Sequence, residues 1–135
     1  MHLFIVLSLS LVCLSECSLQ RVVVKGTLMC GDKPAANVDL KLVDKDVLSD
    51  DVMDKKTTSA NGEFLLDGTE DETTKIDPVL KIYHDCDDGW KPCQRRWSIV
   101  IPDKYISKPG DKNPVTFNLG TVNLEGRISE DRNCV

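Results

Sequence analysis

The sequence predicts an all-β protein, an antiparallel β-sandwich of about seven strands with one short helix. Three observations point there. Short runs rich in Val, Ile and aromatic residues recur along the chain, several alternating apolar and polar positions. Glycine and asparagine turn signals separate these runs, Asn61-Gly62 being the strongest. Helix-period runs are scarce, and the one ambiguous stretch, 44–56 (DKDVLSDDVMDKK), reads as an ordered acidic loop more readily than as a short helix.

The chain opens with an expected signal peptide over residues 1–17. Its apolar run, Leu3–Leu14, is too short and too close to the start for a membrane span, and Ser15 and Cys17 suit cleavage before Ser18. Residues 18–135 then fit one domain. No second long apolar stretch follows, so the expectation is a secreted, extracellular protein that is not transmembrane. Seventeen Lys and Arg stand against 22 Asp and Glu, one of which (Glu16) leaves with the signal. Mild acidity spread along the chain excludes general nucleic-acid binding.

The first strand, Arg21–Cys30, is a β-branched run interrupted at Gly26, where a bulge or a close backbone approach is expected. Gly31-Asp32-Lys33-Pro34 turns the chain into Val38–Val43, whose Val38, Leu40 and Leu42 share one face. Thr57–Ser59 and Glu63–Leu66 bracket the Asn61-Gly62 turn, and 67–75 reads as a polar loop. Val79–Tyr83 and Trp97–Ile101 are the next strands, with Asp87-Asp88-Gly89 marking the turn between them. Pro102-Asp103 starts a short helical turn through Ile106, which Pro109-Gly110 stops. Val115–Leu124 is the last clear strand, its phase shifted at Gly120 as by a bulge. The tail GRISEDRNCV wanders unless Cys134 holds it.

Four cysteines remain after cleavage: Cys30, Cys86, Cys93 and Cys134. An even number in a small secreted chain reads as two disulfides with three connectivities open. The expected pairing is Cys86–Cys93, closing a short turn between adjacent strands, with Cys30–Cys134 tying the first strand to the tail. In the chain-entropy description the long loop contributes about 4–5 kcal/mol and the short one about 2 kcal/mol. Zinc fails on spacing, since there is no C-x-x-C pair and His84 is the sole histidine beyond the signal.

The combination Gly26–Cys30 (G-x-L-x-C), Lys33-Pro34, Asn61-Gly62-Glu63-Phe64, IDPVLKIYHDC at Ile76–Cys86, KPCQRRW at Lys91–Trp97 and IPDKYI at Ile101–Ile106 resembles the nematode transthyretin-like family. The match covers nearly the whole chain beyond the signal. It implies a transthyretin (prealbumin)-like β-sandwich, secreted, with a short helix after one strand. Some members of that family are viewed as extracellular adaptors, including one role in recognising phosphatidylserine on dying cells and linking them to a phagocyte receptor for apoptotic cell clearance. The transthyretin fold also has a hydrolase relative acting on hydroxyisourate through several histidines, an arginine and a C-terminal Y-R-G-S. This chain has only His84 and ends Arg132-Asn133-Cys134-Val135, so that activity does not carry over. No G-x-S-x-G is present either, and His84 and Asp85, being adjacent on a strand, point to opposite faces. Catalytic residues: none are expected, and no cofactor.

The candidate contact surface is the loop GWKPCQRRW. Trp90 and Trp97 are amphipathic rings suited to a membrane interface, and Lys91, Arg95 and Arg96 are cations able to meet phosphate or carboxylate. The alternative for these residues is structural, with Trp97 in the core at the strand start and the arginines paired with aspartates. Asp85, Asp87 and Asp88 are weak calcium candidates, oxygen ligands beside a glycine without a full shell. Asp44, Asp46, Asp50 and Asp51 are weaker still. The functional expectation is a non-catalytic adaptor, one end of the sandwich on an anionic lipid or glycan surface and another on a receptor or a second copy of the chain. The alternative is a carrier of a small apolar ligand in a cleft or dimer interface.

Overall fold

A computed structural model describes residues 18–134; the expected signal peptide, residues 1–17, lies outside the described residues. Among the described residues nine strands form two facing sheets, with one 3-10 turn besides. The first sheet is built on β1 (Leu19–Cys30), flanked by β5 (Glu63–Asp71) and by the parallel β8 (Phe117–Asn123), with the two-residue β2 (Lys33–Pro34) closing its end. The second runs β4 (Asp51–Thr57), β3 (Asp39–Asp44), β6 (Pro78–His84), β7 (Gln94–Val100) and β9 (Glu130–Asn133), all antiparallel. The all-β sandwich is as expected, and the expected helix is a single 3-10 turn at Asp103–Tyr105. One pairing, β1 with β8, runs parallel, which the strand pattern did not announce.

Alternation explains which side chains meet. Val22, Val24 and Leu28 of β1, Phe64 and Leu66 of β5, Leu40 and Leu42 of β3, Leu80 and Ile82 of β6 and Trp97 of β7 are buried between the sheets. Their neighbours on β5 (Leu65, Asp67) face solvent. Gln20 at the start of β1 is buried too, but its amide accepts from the Ile76 N–H (3.0 Å) and donates to the Thr74 carbonyl (2.8 Å), so no polar group is stranded.

Three expectations change. The stretch expected as an acidic loop is a hairpin: β4 pairs with β3 from Asp39–Thr57 to Asp44–Asp51, around a register shift at Leu42/Val43. Its side chains do not alternate in hydrophobicity because both faces are largely wet, so the ladder is held by backbone pairing, which leaves no periodic trace in sequence. The expected polar loop 67–75 likewise begins as strand, since β5 follows β1 out to the Leu19–Asp71 pair. At Gly68 the two sheets approach closely: a Cβ there would stand 2.6 Å from the Met53 Cβ of β4. The tail, finally, is ordered as β9, with Cys134 just beyond it.

Candidate functional site

The stretch that carries the two tryptophans and the arginines is a hairpin, β6–β7, whose last rung is His84–Arg95. Strand β7 begins at Gln94, three residues earlier than the expected Trp97, and this shift changes the role of almost every candidate. Since Trp97 points into the core, Arg95 two residues before it points inward as well.

Arg95 is fully buried. Its Nη1 donates to the carbonyls of Cys86 (2.7 Å) and Leu124 (2.8 Å). Nη2 donates to the Gly126 carbonyl (2.5 Å) and to Glu130 Oε1 (2.6 Å), while Nε faces both Glu130 oxygens at 3.1 Å. All five guanidinium protons therefore have an acceptor, the condition under which a buried cation is tolerated. Glu130 also accepts from Trp97 Nε1 (3.1 Å) and from Arg127 (2.9 Å). Arg95 foremost, and then Arg127 and Trp97, hold its carboxyl down to about 2.

On the outer face of the same rungs Arg96 forms a fork with Asp131, each group pulling the other toward its charged form. Opposite Arg95 on β9, Arg132 reaches back to Asp88 (2.6 and 3.0 Å) and to the Cys93 carbonyl (3.0 Å). The basic cluster is thus the seat of the C-terminal strand. Arg95 and Trp97 are core groups, and Arg96 is half-buried against Asp131. Of the five candidates, Trp90, 99 % exposed at the loop tip, and its neighbour Lys91 are the exposed ones.

The disulfides follow the same logic and correct the expected pairing. Cys30 is bonded to Cys86 (Cα–Cα 5.8 Å) and Cys93 to Cys134 (4.4 Å). The ladder stops at His84–Arg95, and Cys93 lies in the left-handed region (φ 69°), so the two loop cysteines turn apart. Cys86 faces inward to the end of β1 and ties the two sheets together. Cys93 faces the tail and locks β9 to β7.

The weak calcium candidates are not gathered into a site. Asp88 is buried and its carboxylate is taken up by Arg132, which lowers its pKa by hydrogen bonding. Asp85 meets Gln94 (3.4 Å), and Asp87 is exposed with a φ of 51°. Oxygen donors do converge at the other end of the sandwich, where Asp44, Asp51 and Glu70 each place one ligand atom within 4.8 Å of the others. Asp44 is buried and accepts from the Asp77 N–H (2.8 Å). Crowding by these charges, with a hydrogen bond to Asp44 as the largest cause, pushes Glu72 up to about 7, and burial with the same neighbours raises Glu70. Three carboxylates are hard ligands of the kind a divalent cation takes, though fewer than a calcium shell requires.

Two groups were missed from the sequence. One is the carboxylates and arginine of the tail (Glu130, Asp131, Arg132), whose partners lie 33 to 44 residues away. The other is the pairing of Asp44 with Glu70 and Glu72 across the two sheets. The alternation from Trp97 back to Arg95 was the one signal available for the first.

Among the described residues no helix is long and apolar enough to cross a membrane. A profile of the Transthyretin-like family matches residues 25–102, more than half of the chain. Transthyretin-like protein 33 of Caenorhabditis elegans is 51% identical over 116 residues, covering 83% of this chain and 80% of its own length. Transthyretin-like protein 5 of the same organism is 47% identical over 115 residues, covering 83% and 82%. Among solved structures, a 9R-lipoxygenase from Cyanothece aligns over 77% of this chain and 16% of its own, at 24% identity and a TM-score of 0.43, too loose to bear on fold or function. The sandwich, the stapled hairpin and the matches over most of the sequence agree: the chain belongs to the transthyretin-like family.

Proposed function

We propose that the protein is a secreted, non-catalytic binding protein that works outside the cell as an adaptor. The observation that carries this reading is the placement of its most exposed apolar side chains. Trp90 tops the β6–β7 loop at 99 % exposure, and Val47 and Leu48 top the β3–β4 hairpin at 97 % and 96 %. Because β3 and β6 pair antiparallel with Asp44 beside Pro78 and Asp39 beside Tyr83, those two loops lie at opposite ends of one sheet. A bridge between two partners needs contact surfaces that face apart, as these two ends of the sheet do.

In this reading the Trp90 end meets an anionic surface, phosphatidylserine being the first to test, with the indole at headgroup level and Lys91 contributing about 1 kcal/mol of attraction. The loop is preorganised by both disulfides and by Arg132–Asp88, so little ordering is lost on binding. The acidic end with Val47 and Leu48 meets a receptor or a second copy. Two disulfides suit an oxidising compartment outside the cell. Against catalysis, His84, the one histidine among the described residues, is buried and its Nδ1 is already engaged by a backbone amide.

The test is co-sedimentation of the oxidised protein with phosphatidylserine-containing and with neutral vesicles, at low and high salt. The reading expects binding to anionic vesicles that weakens with salt and is lost in Trp90→Ala/Lys91→Ala. No binding, or binding indifferent to that double variant, removes lipid from the mechanism and leaves a protein or glycan as the partner.

A further inference from the structure

The second sheet packs one face on the core, and strand register sets what stands on the other. Lys41 of β3 lies directly opposite Lys55 of β4 on one side and Lys81 of β6 on the other. Directly opposed residues share a face, so the three lysines form one row across neighbouring strands, about 5 Å from one to the next. Like charges set opposite each other cost a sheet stability. The chain has 22 acidic side chains that could break such a row, and none does. Lys81 is paired with Asp50 at 2.6 Å. Lys41 and Lys55 are in no ion pair among the described residues, and the Lys41 ammonium lies 5.3 Å from the centre of the Tyr83 ring instead.

The next row on the same face sets Tyr83 opposite Arg96. Lys41, Lys81, Tyr83 and Arg96 line a solvent-open recess of about 330 Å³, with Val43 and Asp50 beside them. Three carboxylates share this face: Asp50 is held by Lys81, Asp131 by Arg96, and Asp39, two residues from Lys41, is exposed. Four cations therefore stand against three anions, and donors remain to spare. The Arg96 fork to Asp131 uses Nε and Nη2, leaving Nη1 to donate elsewhere, and a lysine ammonium has three protons. We propose that this face binds a sulfated polysaccharide, one sulfate ester seated between Lys41, Lys81 and Arg96 and a further charge of the polymer on Lys55. Cations at strand spacing make a line, which matches successive anionic groups along an extended chain. A recess admits one ester group and keeps out a flat lipid surface, and the exposed indole suited to a membrane, Trp90, belongs to the β6–β7 loop instead. The site is separate from the lipid contact proposed above and does not depend on it.

The probes are size-fractionated heparin and, as the polymer without ester groups, its fully desulfated form, titrated into isotope-labelled oxidised protein and followed by NMR. Saturable shifts at the amides of Lys41, Lys55 and Lys81 are expected with heparin, weakening as salt rises, and none with the desulfated polymer. Lys41→Gln/Lys55→Gln should weaken binding about tenfold or more, since each lysine carries a charged hydrogen bond. Lys25→Gln/Lys112→Gln makes the same change in charge on β1 and in a loop, and should bind as the parent does. Relief of the like-charge row should leave Lys41→Gln/Lys55→Gln at least as stable as the parent in urea. Absent heparin binding, equal binding of the desulfated polymer, or equal losses in the two double variants would each overturn the assignment. So would a less stable Lys41→Gln/Lys55→Gln that binds heparin unchanged, which would leave the lysines serving the fold alone. Loss of phosphatidylserine-vesicle binding in that variant, with heparin binding kept, would overturn it in favour of a lipid contact.

Discussion

Replacing Arg95 by alanine separates a lipid-facing arginine from a structural one. The substitution removes five donors and a buried positive charge. It strands the carbonyls of Cys86, Leu124 and Gly126 and leaves Glu130 with only Arg127 and Trp97 Nε1 as partners. Breaking one side of a buried, fully hydrogen-bonded ion pair costs about 3–5 kcal/mol. A domain of this size is stable by about 5–15 kcal/mol, so that loss is about a fifth of the total or more. At about 4 °C per kcal/mol, the melting temperature should fall by about 12–20 °C. Urea denaturation followed by the fluorescence of the buried Trp97 reads the change directly. Arg96→Ala is the control: its partner Asp131 is more than half exposed, and such a pair is worth about 0.2–1 kcal/mol. If Arg95→Ala and Arg96→Ala shift the midpoint equally, or Arg95→Ala shifts it by less than about 1 kcal/mol, the buried role assigned to Arg95 is wrong.

Cys134→Ser with Cys93→Ser removes the bond that closes a separation of 41 residues, for which the chain-entropy description gives about 4 kcal/mol. Hydrogen exchange should show β9 opening while the Trp97 core stays protected. Gly68→Ala should lower the denaturation midpoint by about 1–3 kcal/mol, since its Cβ meets the Met53 Cβ at 2.6 Å with backbone close behind. Titration acts in both directions. Glu130, held at about 2, stabilises the fold above pH 4.5, and that contribution is lost as pH falls toward 2. His84, held at about 4, costs stability as pH falls from 6.5 toward 4, because only the unfolded chain takes up the proton. Glu72, raised to about 7, has the opposite sign: the folded state binds its proton more tightly, so stability declines as pH rises from 4.5 toward 7. Glu72→Gln should therefore flatten that decline in denaturation curves between pH 5 and 7.5, with little effect at pH 4.

The β-sandwich was legible because its inner strands alternate or run apolar, as in Val38–Val43 and Val79–Tyr83, and because Asn61-Gly62 announces its turn. Strand β4 was not, since Asp51–Thr57 exposes both faces and its place is set by backbone pairing with β3. The site was half legible. The sequence left Trp97 open between core and contact surface, and starting the strand at Gln94 would have sent Arg95 inward by the same alternation as Trp97. The partners of the arginines were beyond reach. Glu130, Asp131 and Arg132 read as part of a polar tail until β9 is seen lying along β7, and no local rule brings residues 95 and 130 together. Four cysteines admit three pairings, and the short one looked cheapest only while Cys86 and Cys93 were imagined facing each other. The positive φ at Cys93 has no signature in a residue type that seldom adopts it.

Disulfide mapping tests most directly the claim that the KPCQRRW stretch seats the C-terminal strand. Proteolysis of the oxidised, alkylated protein under non-reducing conditions, followed by mass spectrometry, should yield one linked peptide joining Cys30 to Cys86 and one joining Cys93 to Cys134. A peptide linking Cys86 to Cys93 would contradict it, free the tail from β7, and return the arginines to the surface.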